Sequence, residues 1–237
     1  MNTMATVTAE AKPAFLGLVA GLGVGAGIFY YRSIVNAHLS RLLSPRIVMV
    51  HADVQKVMSL ANARETNQLA DYLTCLLKQL ADAGAQIATI PAFSPQVCAQ
   101  ELERKTPLPL IGLLDAIAGE VERRQLSRVA IFGARVTIET RLFGTLDGLA
   151  DIVSPQSKEI DLISSIYGEI VKNEKASELE REQLRTLAHG LIEREHLDAI
   201  LLAGTDLSFV FDPQNTDFPH LDGARCHIEA IMQRLTK

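Results

Sequence analysis

The chain lacks the charge pattern and the aromatic content that are typical of nucleic-acid-binding proteins. Aromatic residues make up only 5% of its 237 residues, no block of Lys or Arg occurs, and the formal net charge is −5. Because binding to a phosphate backbone depends on clustered cations, this composition disfavours nucleic acid as a partner. Hydrophobic residues at 48% and charged residues at 22% indicate an ordinary globular protein of one large or two small domains.

Cysteine is also scarce. Only Cys75, Cys98 and Cys226 occur, and neither a Cys-x-x-Cys nor a His-Glu-x-x-His motif is present. This spacing gives a structural or catalytic metal little support, so we expect no metal. Three cysteines without a pairing pattern are typical of reduced, partly buried thiols, and we expect a cytoplasmic protein.

One long stretch has no charge at all. Residues 13–31 contain no Asp, Glu, Lys or Arg, which is nearly the length of a membrane span. Five glycines crowd this stretch, however, and they follow a short strand-like run. We therefore expect a strand, a Gly-rich turn and a buried helix rather than a membrane anchor, and we expect residues 1–13 to form a flexible tail.

Apolar strand-like runs alternate with amphipathic helical patterns along the chain. This alternation predicts parallel sheets with helices on both faces. The order of strand, Gly-containing turn and helix starts near Phe15 and again near Arg128, which indicates two similar α/β halves. The predicted strands are Phe15–Ala20, Ile47–His51, Gln86–Ile90, Arg128–Phe132 and Ala199–Ala203, and the clearest helical patterns are residues 66–83, 158–171 and 177–197.

Two prolines, Pro107 and Pro109, suit a boundary between the halves. We expect a first α/β domain formed by residues 14–108 plus 212–237 and a second formed by residues 109–211. Ligands of parallel sheets bind outside the carboxyl ends of the strands. The segments that follow the strands are therefore the candidate functional segments.

The first such segment is glycine-rich and covers residues 20–27. Bare backbone N–H groups at the start of a helix can bind an anion. Gly21 and Gly23 fit the start of a Gly-x-Gly-x-x-Gly dinucleotide motif, but Ala26 occupies the third position. Asp53 also lies too far along the chain for the acidic residue that binds the ribose. The match to a dinucleotide site is therefore weak.

Two further segments are the most informative. Thr89–Gln96 and Leu202–Leu207 each follow a strand-like run, and they resemble the two active-site segments of the aspartate/glutamate racemase family, which read roughly Pro-Cys-Asn-Thr-Ala-His and Gly-Cys-Thr-Glu. In that family the two cysteines flank the substrate's α-carbon and move its proton. The resemblance puts Ala92 and Gly204 at the cysteine positions, and neither side chain can carry a proton.

Other landmarks of the family follow in order from about Phe15 to Ile231. The Gly-rich loop with Tyr30-Tyr31-Arg32-Ser33-Ile34 resembles the family's opening loop and helix. Gly133-Ala134-Arg135-Val136-Thr137 resembles its Gly-Thr-x-x-Thr turn, and residues 221–231 resemble its closing Asp and His-x-x-Ala signature. Each motif is weak alone, but their shared order is specific.

The resemblance implies where a ligand would bind, and it also exposes departures. Ser94 replaces a Thr and keeps a hydroxyl, Phe93 replaces an Asn, Gln96 replaces a His, and Asp206 is one methylene shorter than the family's Glu. The implied ligand-binding residues are Gly21, Gly23, Phe93, Ser94, Arg135, Thr137 and Thr205.

The resemblance implies a two-domain fold with the ligand cleft between the halves, no cofactor, and a homodimer. We expect a protein that binds a small carboxylate or an amino acid but lacks two-thiol racemisation. The alternative is a cofactor-independent isomerase, lyase or racemase of altered chemistry that uses Asp206, His227 or Ser94. A third possibility is a scaffold protein that acts through its surface, in which Phe93 fills the pocket that binds the substrate in the family.

Overall fold

Two parallel β-sheets organise the protein, which we describe from a computed structural model that covers residues 14–236. The tail expected over residues 1–13 lies outside the described residues. The strands are β1 (Leu16–Ala20), β2 (Ile47–His51), β3 (Ile87–Thr89), β4 (Arg128–Gly133), β5 (Asp151–Ile152), β6 (Ala199–Ala203) and β7 (His220–Asp222). The α-helices are α1 (Val24–Leu39), α2 (Val54–Asn62), α3 (Thr66–Asp82), α4 (Ala99–Glu103), α5 (Leu113–Arg124), α6 (Arg135–Glu139), α7 (Ser157–Asn173), α8 (Glu178–Glu195) and α9 (Gly223–Leu235).

The first sheet has the order β2-β1-β3, with all pairs parallel. Side chains alternate between the two faces of a strand, and β1 uses both faces. Leu16 and Leu18 join a core formed with α1 and α9, whereas Val19 joins a core formed with α3. Helices therefore cover both faces of this sheet, as the alternating pattern predicts.

The second sheet has the order β5-β4-β6-β7 and is also parallel. Its central strands are buried on both faces, which explains their continuous apolar runs. Around them α7 packs on β4, and α8 and α9 pack on β6. The two-sheet, parallel α/β fold that the sequence predicts is confirmed.

The carboxyl-terminal segment links the two halves. β7 pairs with β6, so His220–Asp222 belongs to the second sheet, although the sequence pattern groups residues 212–237 with the first domain. The following helix α9 packs against α1 as well as α5. The domain boundaries derived from the sequence therefore stay a proposal. The strand pairing assigns β7 to the second sheet rather than to the first domain.

The charge-free stretch forms β1, a tight turn and the first two turns of α1. Gly21 lies in this turn with φ of +86°, and a Cβ there would approach the backbone oxygen of Ala52 to 2.7 Å, so a side chain does not fit. Along α1 the helix buries Tyr30 and leaves Ile28 and Tyr31 exposed. Within residues 14–236 the chain contains no helix that is both long and apolar enough to span a membrane.

Candidate functional site

The carboxyl ends of β3 and β6 meet at a small cavity between the two halves. The segment after β3 contributes Ala92 and Ser94, and the segment after β6 contributes Thr205. Tyr167 of α7 lies beside Thr205 in the part of the wall that the second half contributes. The whole cavity has a volume of about 20 Å³. A space of that size holds about one water molecule. The rest of the wall is apolar and consists of Leu22, Val54, Val57, Met58, Phe93 and Pro95.

The ring of Tyr167 fills the space beside Gly204. A Cβ built on Gly204 would lie 2.7 Å from Cζ and 3.0 Å from Cδ2 of this ring, which is closer than real Cβ contacts allow. A side chain at position 204 and Tyr167 in its present rotamer therefore exclude each other. The packing of the cleft depends on the absence of a side chain at Gly204.

Asp206 is the titratable group of this region. It is 2% exposed and receives only two long hydrogen bonds at Oδ2, from the Tyr167 hydroxyl at 3.5 Å and from Thr205 Oγ1 at 3.4 Å. Its Oδ1 is buried and has no hydrogen-bond partner in the described part of the chain. Burial raises the pKa of Asp206 to about 6, although the hydrogen bonds from Thr205 and Tyr167 oppose the shift.

Tyr167 itself stays protonated. Burial, together with the charge of the adjacent Asp206, raises the pKa of the Tyr167 phenol well above its usual value. A phenol with a raised pKa is a hydrogen-bond donor but a poor base at neutral pH. Tyr167 thus fills the place beside Gly204 without supplying the chemistry of a thiolate.

Phe93 connects the two halves. Its backbone follows β3, but its side chain is 4% exposed and belongs to the apolar core of the second half. A Cβ on Gly223 would lie 2.8 Å from its Cζ, so the start of α9 packs directly on the ring. Phe93 also borders the small cavity, where an amide side chain would have offered hydrogen bonds.

The structure places His227 in a buried network, away from the residues that line the small cavity. Its Nδ1 lies 3.1 Å from the Tyr30 hydroxyl, and its Nε2 lies 2.9 Å from the Ile111 carbonyl oxygen and 2.9 Å from Thr89 Oγ1. With the proton on Nε2, the ring donates to Ile111 and accepts from Tyr30, so both nitrogens are satisfied. Burial lowers the pKa of His227 to about 4, so the ring is neutral at pH 7.

The remaining implied ligand residues do not converge on the cavity. Arg135 is exposed and forms ion pairs with Glu139 and Asp161. Thr137 is fully buried, and its Oγ1 has no hydrogen-bond partner within residues 14–236. Gly23 lies at the start of α1, where its Cβ position is 3.4 Å from Asp206 Oδ2, whereas Gly21 packs against Ala52.

Two of the three cysteines have thiols that resist ionisation. Burial raises the pKa of Cys98 and of Cys226 to about 12 in each case, so neither forms a thiolate at neutral pH. Cys98 also donates to the carbonyl oxygen of Pro95. No group of three or more His, Cys, Asp or Glu side chains in the described residues is arranged to hold a metal ion.

The sequence reasoning missed Tyr167 as a residue of the site. Its spacing with Ile163 and Ile170 gave the impression of an ordinary core stripe on α7. The signal that could have found it is chemical: a single aromatic residue with a polar end among isoleucines. The signal has meaning only because Gly204 lies beside the ring in the folded protein. The sequence alone does not show that these two residues are neighbours.

Comparison with known proteins shows which family the chain is similar to. The family model described as Asp/Glu/hydantoin racemase matches residues 19–231. A putative Asp/Glu racemase from Yersinia pestis superposes with a TM-score of 0.82 at 21% identity, over 94% of this chain and 100% of that one. An aspartate racemase homologue from Pyrococcus horikoshii OT3 gives 0.77 at 19% identity, over 94% and 99% of the two chains.

A third solved structure, the aspartate racemase of Picrophilus torridus, gives a TM-score of 0.77 at 16% identity and covers 93% of both chains. At these identities the structural likeness establishes the fold, and the family match extends over almost the whole chain. The chain belongs to the Asp/Glu/hydantoin racemase family.

Proposed function

We propose that this chain binds a small carboxylate or an amino acid in the cleft between its halves and does not catalyse two-thiol racemisation. The observation that carries the proposal is the packing of Tyr167 against Gly204. A ring in that position is compatible with glycine and incompatible with a cysteine. In the motif resemblance, position 204 corresponds to one catalytic thiol of the family, and Ala92 corresponds to the other.

The loss of both proton carriers has a large kinetic consequence. Racemisation of an amino acid needs a base on one face of the α-carbon and an acid on the other. Each positioned proton-transfer group contributes roughly 10²–10⁴-fold, so the loss of both is worth about 10⁴–10⁸-fold if the effects multiply. A methyl group at Ala92 and a hydrogen atom at Gly204 cannot replace them.

The hydroxyl groups support the binding part of the proposal. Ser94 and Thr205 both border the cavity, and both match hydroxyl positions in the family motifs. A cavity of about 20 Å³ is too small for an amino acid, so binding requires Tyr167 to leave its present rotamer. We therefore propose that a ligand selects an open state in which Tyr167 has moved.

The test is exchange of the α-proton in D₂O, followed by NMR, with L- and D-aspartate and L- and D-glutamate. We expect no enzyme-dependent deuteration, together with ligand-dependent changes in the amide signals of residues 92–94 and 204–206. Tyr167→Phe serves as a variant that keeps the ring and removes the hydroxyl. Deuteration that saturates with substrate would contradict the loss of racemisation, and unchanged amide signals would contradict binding.

A second candidate function is proton transfer by a single base, as in a lyase, decarboxylase or tautomerase reaction. The specific support is Asp206, whose pKa of about 6 lets the carboxyl exchange protons near neutral pH. Tyr167 would act as a donor. Exchange of the ring C–H of a 5-substituted hydantoin tests this function, and exchange that survives in Asp206→Asn would exclude this carboxyl as the base.

The expected assembly, a cytoplasmic homodimer, also stays a proposal. Its support is the exposed apolar side of α1, where Val24, Ile28, Tyr31 and Leu39 are between 46% and 57% exposed. A helix side of this kind favours burial against another protein surface. Light scattering of the wild type and of Ile28→Glu tests it, because a monomeric wild type would contradict the dimer.

A further inference from the structure

A second and larger cavity lies on the other side of Asp206 from the cleft. Its volume is about 450 Å³, which is in the range of small-molecule sites. It is open to solvent and is bordered by one side of α1, by the α7–α8 linker with the start of α8, and by the segment after Thr205. The residues that line it and those that line the cleft cavity do not overlap. We call it the α1 groove.

The wall of the α1 groove contains charged side chains of both signs. Gly25, Phe29 and Arg32 line it from the first turn of α1 toward the second half of the helix. Glu174 lies at the Gly25 end, where its Cγ is 3.5 Å from the Cβ position of that glycine. Arg32 lies seven positions after Gly25, so the end of the groove at Glu174, which we call the acidic end, and the Arg32 end are about 10 Å apart along the helix axis.

The charged side chains of the groove are not engaged with one another. Across residues 14–236, many charged side chains form salt bridges, but those in the groove wall form neither a salt bridge nor a side-chain hydrogen bond. They are Arg32, Glu174, Lys175, Glu178 and Arg181. Two partly buried aromatic rings, Phe29 and Phe209, meet edge to face between the charges with centroids 6.2 Å apart.

A buried acid lies behind the acidic end. Asp206 Oδ1, which has no hydrogen-bond partner in the described residues, is 3.6 Å from the Cβ position of Gly25. The same position is 3.1 Å from Cζ of Phe209, a groove residue. Gly25 therefore lies between this oxygen and the groove, and it has no side chain of its own to fill the space. An unpaired buried oxygen is costly unless a donor reaches it.

We propose that the α1 groove is a binding site for a linear zwitterion, of the class of short peptides and ω-amino acids. Its ammonium group binds at Glu174, with the unpaired oxygen of Asp206 behind Gly25, and its carboxylate binds Arg32. The carbon chain lies over Phe29 and Phe209. The site is separate from the cleft, so it does not depend on the function proposed there.

The length of the groove selects the probes. Triglycine in extended form spans about 10 Å between its termini, since each residue extends the chain by about 3.3–3.6 Å. The second probe, 6-aminohexanoate, carries the same two charges on a chain without amide groups. Hexanoate and hexylamine each keep one of the charges. Isotope-edited NMR with all four probes reports on affinity and on the residues affected.

We expect both zwitterions to give saturable shifts of the Gly25, Ala176 and Asn215 amides and no comparable shifts at Ala92 and Ser94. Hexanoate and hexylamine should bind at least about tenfold more weakly, because each loses a charged contact. The tighter of the two zwitterions identifies the source of the ligand, a peptide or an ω-amino acid. Equal binding of hexanoate and 6-aminohexanoate, or the absence of saturable shifts, would overturn the proposal.

Matched variants assign the two ends. Glu174→Gln should weaken 6-aminohexanoate about tenfold and leave hexanoate unchanged, whereas Arg32→Met should weaken both. Glu193→Gln and Arg104→Met change exposed residues outside the groove and should have no effect. All four positions are on the surface, so melting temperatures should stay close to that of the wild type. Loss of affinity in the control variants as well would remove the assignment.

Discussion

Asp206 and His227 are both buried, both titratable and both candidates for acid–base chemistry from the sequence, yet their surroundings are opposite. His227 has a partner for each ring nitrogen. Asp206 has one oxygen without a partner and two long hydrogen bonds on the other. His227 lies where α1, β3 and α9 pack together, whereas Asp206 lies between Gly25, which lines the α1 groove, and Tyr167, which lines the cleft cavity. Burial alone therefore does not distinguish a structural group from a group available to a ligand; hydrogen-bond satisfaction does.

The pKa shifts express the same difference as free energy. Burial lowers the pKa of His227 to about 4 and raises the pKa of Asp206 to about 6. Both shifts disfavour the charged form. Their effects on stability change in opposite directions with pH. The neutral form of His227 is the deprotonated one, so His227 destabilises the fold at low pH. The neutral form of Asp206 is the protonated one, so Asp206 destabilises the fold at high pH.

The largest expected effect is the loss of the His227 network. His227→Ala removes a fully buried ring and leaves the Tyr30 hydroxyl without its partner, so the free energy of unfolding at pH 7 should fall by about 3–5 kcal/mol. The contribution of His227 to the stability of the wild type should fall by about 3 kcal/mol as the pH falls from 6.5 through 4, since His227 must then be protonated. The difference between variant and wild type should shrink over the same interval.

Urea denaturation at several pH values measures this prediction. His189→Ala is the matched control, because the His189 side chain is 49% exposed and contacts Asp217 at the surface. A difference at pH 7 as small as that of the control would mean that the His227 network does not stabilise the fold.

The second effect has the opposite sign. Asp206→Asn should raise the free energy of unfolding at pH 7.5 by up to about 3 kcal/mol, because the wild type must bury a charged carboxylate above its raised pKa. The wild type regains this stability as the pH falls through 6 toward 4, where the carboxyl is protonated. The gain should therefore vanish near pH 4.

Thermal melts across pH 4–8 measure the gain, with the exposed Asp82→Asn as control. If the melting temperatures of the wild type and of Asp206→Asn change in parallel with pH, ionisation of Asp206 does not destabilise the fold. Asp206 would then not differ from His227 in the way described.

The third prediction concerns the cleft. Gly204→Cys should destabilise the protein by about 1–3 kcal/mol, because its Cβ overlaps the Tyr167 ring. Gly204→Cys combined with Ala92→Cys should remain inactive in α-proton exchange for the same reason. Adding Tyr167→Ser removes the overlap, and we expect measurable exchange only in this triple variant.

Deuterium incorporation into aspartate and glutamate, measured by NMR on folded protein, tests the triple variant. Activity in the double variant would mean that Tyr167 does not obstruct the cleft. A folded triple variant that binds ligand without exchange would contradict the placement of the two cysteine positions.

The smallest expected effect is at Arg135. Because its ion pairs with Glu139 and Asp161 are exposed, Arg135→Gln should leave the melting temperature almost unchanged. Its distance from the cavity lining also predicts an unchanged affinity for small carboxylates. Titration calorimetry with aspartate measures this, and a clear loss of affinity would return Arg135 to the binding site.

The main strands were predictable from the sequence, whereas the short ones were not. The predicted runs at β1, β2, β3, β4 and β6 end within one residue of the observed strands, whereas β5 and β7 were not predicted. Strand β5 has two residues, and β7 combines His and Asp with a single Leu. Such short polar segments become strands because a neighbouring strand supplies their hydrogen bonds. The local sequence does not show which strand that neighbour is.

By itself the sequence determined the family, the parallel α/β architecture, and the identities Ala92 and Gly204 after their strands. These features follow from local periodicity and from residue types in a fixed order. Only the tertiary structure decided that Tyr167 lies against Gly204, that both nitrogens of His227 are satisfied, and that Asp206 separates two cavities. Each of these facts depends on contacts between residues far apart in the chain, because burial and hydrogen-bond partners are properties of the packed fold.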